Sequence, residues 1–277
     1  MANKDIVKAE FPTAVPPMKH PKSANDIGSR MLLLVGRLTL LCLIAGGWEW
    51  AARTELVPAA FIGQPSIFVS AFFEGLQNGT YVSATLVTMQ ATIAAFCIGT
   101  AAALLTALVM TAAPWVERLL EPFIEALNAL PRVALIPLFI IWFGLGITQK
   151  IVSGVSIMYF VMLSYTLSGA KSVEPDHLLM ARSIGLPRWR VFFQIVIPSA
   201  IPSIFAGMRL GMIYTILGVI TAELLAGGKG LGTLVSFYSN TFDTNGVFAV
   251  LIVLVILTGA LSAGMTVVER RIGKWRH

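Results

Sequence analysis

The sequence predicts an all-α integral membrane protein with six transmembrane helices. Apolar residues make up 56% of the chain and charged residues only 12%. The apolar residues also gather into runs of about twenty or more, the length that crosses a bilayer as a helix. A water-facing domain carries roughly a quarter Asp, Glu, Lys and Arg. Half of that suffices only where lipid covers most of the outside, and the mean hydropathy of +0.80 agrees. The 277 residues have room for roughly five to seven such spans.

Residues 1–29 are polar, with Pro12, Pro16, Pro17 and Pro21, and read as a disordered cytoplasmic tail. Residues 30–277 read as one transmembrane domain. Its first apolar run, Met31 to Trp50, is too long for the core of a secretory signal and is followed by more spans, so it is expected to stay as an anchor. Residues 51–79 are mixed, broken by Pro58, Pro65 and Gly79. Tyr81 to Thr111 holds no charged residue and is long enough for a tilted helix. After a turn at Ala113-Pro114-Trp115, Val116 to Phe143 begins amphipathic (Glu117, Arg118, Glu121, Glu125) and ends apolar. Pro122, Pro131 and Pro137 make that stretch a kinked helix or two half-helices. Gly144-Leu145-Gly146 breaks it, and residues 150–169 form the fourth span.

A polar section runs from Lys171 to Arg190. Val191 to Leu225 then form the fifth span, with Pro198 and Pro202 near its start. Residues 226–245 read as loop, Gly246 to Val268 as the sixth span, and Glu269 to His277 as a basic tail. No internal repeat is visible, which argues against an inverted-repeat secondary transporter.

The net charge of +6 does not form a basic stripe with interleaved aromatics, so nucleic acid is not an expected partner. Lys and Arg instead sort by loop. With the N-terminus cytoplasmic, the inside segments carry four lysines of the tail, Arg30, Arg118, Lys171, Arg182, Arg188, Arg190 and four basic residues after Val268. The outside segments carry only Arg53, Lys150 and Lys229. This bias places both termini inside, as an even number of spans also requires. Cys42 and Cys97 lie within apolar runs and are expected to be buried thiols acting as small hydrophobes. His20, His177 and His277 all lie outside the runs, so the spans offer no histidine for metal or base chemistry.

The segment between the fourth and fifth spans is the most informative. It predicts a short helix from His177 to Ile184, a glycine stop at Gly185, and a second helix after Pro187 that begins Arg188-Trp189-Arg190 and runs into the membrane. Read from its residues, it is either an ordinary basic loop or an exposed element shaped to dock in a partner's groove. Permease subunits of ATP-binding-cassette (ABC) importers carry a cytoplasmic signature of Glu-Ala-Ala, three residues, Gly, nine residues, then Ile-x-Leu-Pro. This segment resembles it, with Ala181, Gly185, Ile195, Ile197 and Pro198 at those offsets. It departs at Leu179 (for Glu), Met180 (for the first Ala) and Ile197 (for Leu). Leu130 to Gly144, Gly207-Met208-Arg209, Ala222-Glu223 and Gly228-Lys229-Gly230-Leu231-Gly232 resemble the nitrate, sulfonate, taurine and bicarbonate branch of that family.

The resemblance covers roughly residues 80–268 and implies a type I ABC importer permease core in the bacterial inner membrane. It implies a coupling helix at about 174–190, with Glu174, Leu179, Ala181, Arg182, Gly185, Arg188 and Pro198 as the ATPase-coupling residues. The implied partners are a second permease copy, two ABC ATPase subunits and a periplasmic or lipid-anchored substrate-binding protein. The chain itself has no Gly-x-x-x-x-Gly-Lys-Ser/Thr phosphate loop. It is therefore expected to bind no cofactor, with ATP and Mg on the partner subunits, and not to be an enzyme.

Charges inside the spans are costly and mark candidate function. Arg37 and Glu49 sit near the ends of their helix and can snorkel. Arg132 lies about 20 Å along its helix from Val116, and Arg209 about 16 Å past Pro198. That depth makes each a candidate for holding a small anion in a central cavity by a bidentate guanidinium, or else for fixing kinked helices internally. Gln90 in the second span is a further pathway candidate, and Glu223 near the end of the fifth is either a gate or half of a structural pair. Gly207-x-x-x-Gly211 predicts close helix packing. The function expected is import of a small organic or inorganic anion. The alternatives are a self-sufficient channel or secondary transporter, and a lipid-modifying enzyme for which Glu117, Glu121 and Glu125 find no histidine or metal set.

Overall fold

The computed structural model describes residues 26–272. The chain divides into two units, Met1–Gly47 and Trp48–His277. In the first, residues 26–47 belong to a single helix, α1 (Asp26–Arg53), whose last residues belong to the second unit. The tail expected at 1–29 falls mostly on residues 1–25, outside the described residues.

In the second unit follow α2 (Ala59–Ile62), α3 (Pro65–Gln77), α4 (Thr80–Ala112) and α5 (Pro114–Ala129). A 3-10 turn at Arg132–Leu135 leads into α6 (Ile136–Phe143), then come α7 (Ile147–Lys171) and α8 (Pro175–Ser183). The short α9 (Arg188–Val191) passes through a π-helical turn at Phe192–Val196 into α10 (Ile197–Ala226), and α11 (Leu231–Asn240) and α12 (Thr244–Ile272) complete the fold. No strand occurs among the described residues. Among the described residues, five helices are long and apolar enough to cross a membrane, and a sixth span forms if the pair Pro114–Ala129 and Arg132–Phe143, bent by 85°, is counted as one.

Local chemistry explains the boundaries. Pro65 and Pro114 occupy the first turns of α3 and α5, where a missing N–H costs nothing. Asn78 Oδ1 accepts from the Thr80 backbone N–H at 2.9 Å where α4 begins. Pro131 stands at the break between α5 and α6, and its ring cannot continue a helix.

Two stretches read as irregular are helical. Residues 51–79 contain α3. The supposed loop 226–245 contains α11, whose Leu231, Leu234, Val235 and Tyr238 pack with Ala249, Val250 and Val253 of α12.

The core is the trio α4, α7 and α10. Met158 and Met162 of α7 are fully buried between Phe96 and Ala103 of α4 and Met212 and Ile216 of α10. Close approach depends on glycine. A Cβ on Gly154 would lie 2.9 Å from the Ala95 Cβ, and one on Gly218 would lie 2.9 Å from the Gly154 Cα and 3.0 Å from the Ser153 carbonyl oxygen. Gly207 faces Tyr165 and Met162, and Gly211 faces Met158, so the Gly-x-x-x-Gly pattern packs α10 on α7 within one subunit. These contacts run α7 parallel to α4 and antiparallel to α10. The cysteines differ from expectation: Cys42 and Cys97 are both exposed.

At the end of the fold carrying α11, Glu49 near the end of α1 accepts from the Ser66 backbone N–H (3.0 Å), Ser66 Oγ (2.8 Å) and Gln64 Nε2 (2.8 Å). A carboxylate at the N-terminus of α3 satisfies donors that the helix leaves open. Trp48, Phe68 and Phe248 stack beside it. Glu49 thus caps a neighbouring helix rather than standing alone.

Candidate functional site

The segment between α7 and α10 is a helical elbow. Helix α8 ends with Gly185 at φ +73°, and the Leu186 N–H returns to the Ala181 carbonyl at 3.0 Å. This six-to-one bond around a left-handed residue is the Schellman ending, which glycine adopts without the Cβ penalty. Pro187, extended at φ −67° and ψ 149°, then starts α9. Ala181 is fully buried, and so fixes the inner face of α8. Leu179, Met180, Ile184 and Trp189 are between 58% and 67% exposed.

Glu174, Arg188 and Pro198 are also exposed. The Glu174 carboxylate lies 3.9 Å from His177 Nδ1, and the Glu174 carbonyl accepts the His177 and Leu178 N–H groups that open α8. The side chain of Arg182 lies outside the described residues. Beside the elbow, Lys171 at the end of α7 pairs with Glu117 of α5 at 2.6 Å.

The intramembrane candidates have separate partners within the subunit. Arg132 Nη1 donates to the Ser156 carbonyl at 2.8 Å, and Nη2 to Asn128 Oδ1 at 2.9 Å and the Leu127 carbonyl at 3.2 Å. Its guanidinium stacks 3.9 Å from the Phe160 ring centre. It therefore braces the bend between α5 and α6 against α7. A depth of about 20 Å along a straight helix does not apply, because the 85° bend precedes it. Arg209 of α10 pairs with Glu269 of α12 and remains about half exposed. Gln90 faces outward from α4.

Glu223 has the partner that sequence reasoning missed. Its carboxylate is fully buried and lies 3.1 Å from Lys150 Nζ, which is 4–5% exposed. Lys150 had been placed among the outside charges, but it occupies the first turn of α7 and points inward. Thr88 Oγ1 and the Gly232 N–H also meet the Glu223 carboxylate, each at 2.9 Å. Among the described residues no group of three or more His, Cys, Asp and Glu side chains could hold a metal ion.

Among the described residues, all-helical structure with five to six apolar span-length segments, one of them broken, and a polar helical elbow between two core helices defines a multi-pass membrane protein. The chain belongs to the family of binding-protein-dependent transport system inner membrane components, whose profile matches residues 95–274. It is 29% identical over 241 residues to the riboflavin transport system permease protein RibX of Chloroflexus aurantiacus, covering 87% of this chain and 90% of that one. It is 28% identical over 258 residues to the taurine transport system permease protein TauC of Escherichia coli, covering 90% and 91%. A putative aliphatic sulfonates permease, SsuC of Bacillus subtilis, is 24% identical over 272 residues, covering 98% and 99%.

The fold resembles a crystal structure described as an amino acid ABC transporter with histidines, with a TM-score of 0.61 and 18% identity. That match covers 72% of this chain and 98% of the other. The chain is thus a multi-pass inner-membrane permease subunit of an ABC importer. It is not an enzyme, and it works with ATPase and substrate-binding components.

Proposed function

We propose that two identical copies of this chain form the path of an importer for a small organic anion, with both termini cytoplasmic and residues 174–190 as the lever gripped by the ATPase subunits. The observation that carries the lever is the elbow's exposed apolar set. Leu179, Met180, Ile184 and Trp189 stand in water on an element flanked by Arg188 and Arg190, where an unpartnered monomer would not keep them. Aromatic and basic residues around an apolar centre are the composition of an interface that binds tightly. ATP and Mg act on the partner subunits, whose closure pulls the elbow.

Support for an anion comes from the relatives named for taurine and aliphatic sulfonates. The test is uptake into proteoliposomes holding this chain, its ATPase subunits and its binding protein, with taurine, an alkanesulfonate and riboflavin offered in parallel. ATP-dependent uptake of a sulfonate is expected, and vesicles holding this chain alone should be inert. Flux through the chain alone would overturn the lever, and uptake of riboflavin only would overturn the anion.

A further inference from the structure

We propose that Lys150, Thr88 and Glu223 are positioning residues of a latch that holds the 227–231 loop over the ends of α4, α7 and α10, and that the transport cycle releases it. Side-chain hydrogen bonds tie the loop backbone to this buried cluster. Lys150 Nζ donates to Glu223 Oε1 and to the Lys229 carbonyl. Thr88 Oγ1 donates to the Glu223 carboxylate and accepts from the Leu231 N–H at 2.9 Å. The Gly232 N–H donates to Glu223 Oε2, which also places a carboxylate at the N-terminus of α11. Gly230, at φ +134°, lets the backbone pass so close that any Cβ would fall on the Glu223 carboxylate. Three core helices and the start of α11 therefore meet at one buried ion pair.

Three observations argue for a releasable joint rather than a fixed strut. A Cβ at Gly227 or Gly228 would meet nothing within 4 Å, so the loop before the latch has open space around it. Next to Lys150 in the chain and one turn along α4 from Thr88, both amide atoms of Gln149 and Thr92 Oγ1 are buried with no hydrogen-bond partner, which water would supply if it reached them. The third is connectivity. Lys150 begins α7, which leads into the elbow, and Glu223 ends α10, which leaves it. The latch therefore joins the far ends of the two helices that carry the lever, about 32 Å from Lys171 along α7. A pull on the elbow arrives here along two rigid rods.

This inference rests on the proposed orientation, with the α11 end outside. The experiment uses the assembled permease–ATPase complex in vesicles, with both native cysteines replaced (Cys42→Ala, Cys97→Ala) and Leu231→Cys introduced. Leu231 is fully buried, so a membrane-impermeant maleimide reaches that position only when the loop lifts. Labelling about tenfold faster in the ATP–vanadate state than without nucleotide is expected. Glu223→Gln should raise the nucleotide-free rate to the trapped rate. Equal rates in the two nucleotide states, fast or slow, would overturn the latch. Should Glu223→Gln fail to assemble, the double variant Lys150→Met, Glu223→Leu leaves no unpaired charge and gives the same reading. Lys229→Cys, at an exposed position, reports orientation separately: labelling only after permeabilisation refutes the orientation, and the latch is then judged on Leu231→Cys in detergent.

Discussion

Gly185 offers a perturbation whose magnitude can be worked from the structure. Its φ is +73°, and a Cβ added there would meet nothing within 4 Å. Steric collision is therefore absent, and the whole cost of a substitution is backbone strain. For an ordinary L-residue the left-handed region costs roughly 1–2 kcal/mol. Helix α8 has only nine residues, a length at which an isolated helix is marginal, so the elbow holds little stability in reserve. A loss of 1–2 kcal/mol corresponds to about 5–30-fold in the population of the formed elbow. Gly185→Val, β-branched, should lower ATP-driven uptake by about that factor while the ATPase subunits still hydrolyse ATP. Gly185→Ala should fall between, and Gly185→Asn should stay near the parent because asparagine tolerates positive φ. The assay is uptake and phosphate release measured in the same proteoliposomes. Equal coupling ratios for valine, asparagine and glycine would refute the reasoning, because strain alone separates the three.

Three further outcomes test the packing and the bend. Gly218→Val drives a side chain into the Gly154 Cα and the Ser153 carbonyl, both backbone, and should cost about 1–3 kcal/mol, seen as a lower melting temperature in detergent. Gly36→Ala, inside α1 with open space around it, should raise stability by about 0.4–1 kcal/mol. Arg132→Lys keeps the charge but loses the planar fork that reaches Ser156, Leu127 and Asn128 together. It should lower the melting temperature, with each lost charged hydrogen bond worth about 1.5–3 kcal/mol. An unchanged melt would mean the bend is held by its prolines alone.

Much of the fold was legible because hydropathy runs and punctuation report local physics. The uncharged run 81–111 became α4 with one residue added at each end, and Gly185 stopped α8 for the reason its position suggested. The misses share a cause: the deciding partner lies far along the chain. Lys150 looks like a loop charge until Glu223, 73 residues away, is placed against it. Arg132 looks deep when residues are counted along one straight axis, and the bend at Pro131 removes that axis. Helix α11 was hidden by its serines and glycines, yet its apolar residues at 231, 234, 235 and 238 already carried a helical spacing, one that a search for twenty-residue runs passes over. Cys97 was assigned to the core because it is apolar in sequence. In lipid, apolar residues lie on both faces of a helix, and the small ones, such as Ala91, Ala95 and Ala103, mark the inner face.

That inversion also bears on how the subunit moves. A core of alanine, glycine and methionine brings the backbones of α4, α7 and α10 so close that a single added Cβ at Gly154 or Gly218 already collides. Packing this tight favours moving the trio as a block. Space and positive φ angles occur together at the ends, at Gly185 and at Gly227 and Gly228 before the latch. A block that is stiff in the middle and jointed at both ends transmits displacement instead of absorbing it. If the elbow is the lever proposed above, an ATP-driven pull on it has one other place to appear, the loop tied down by Glu223.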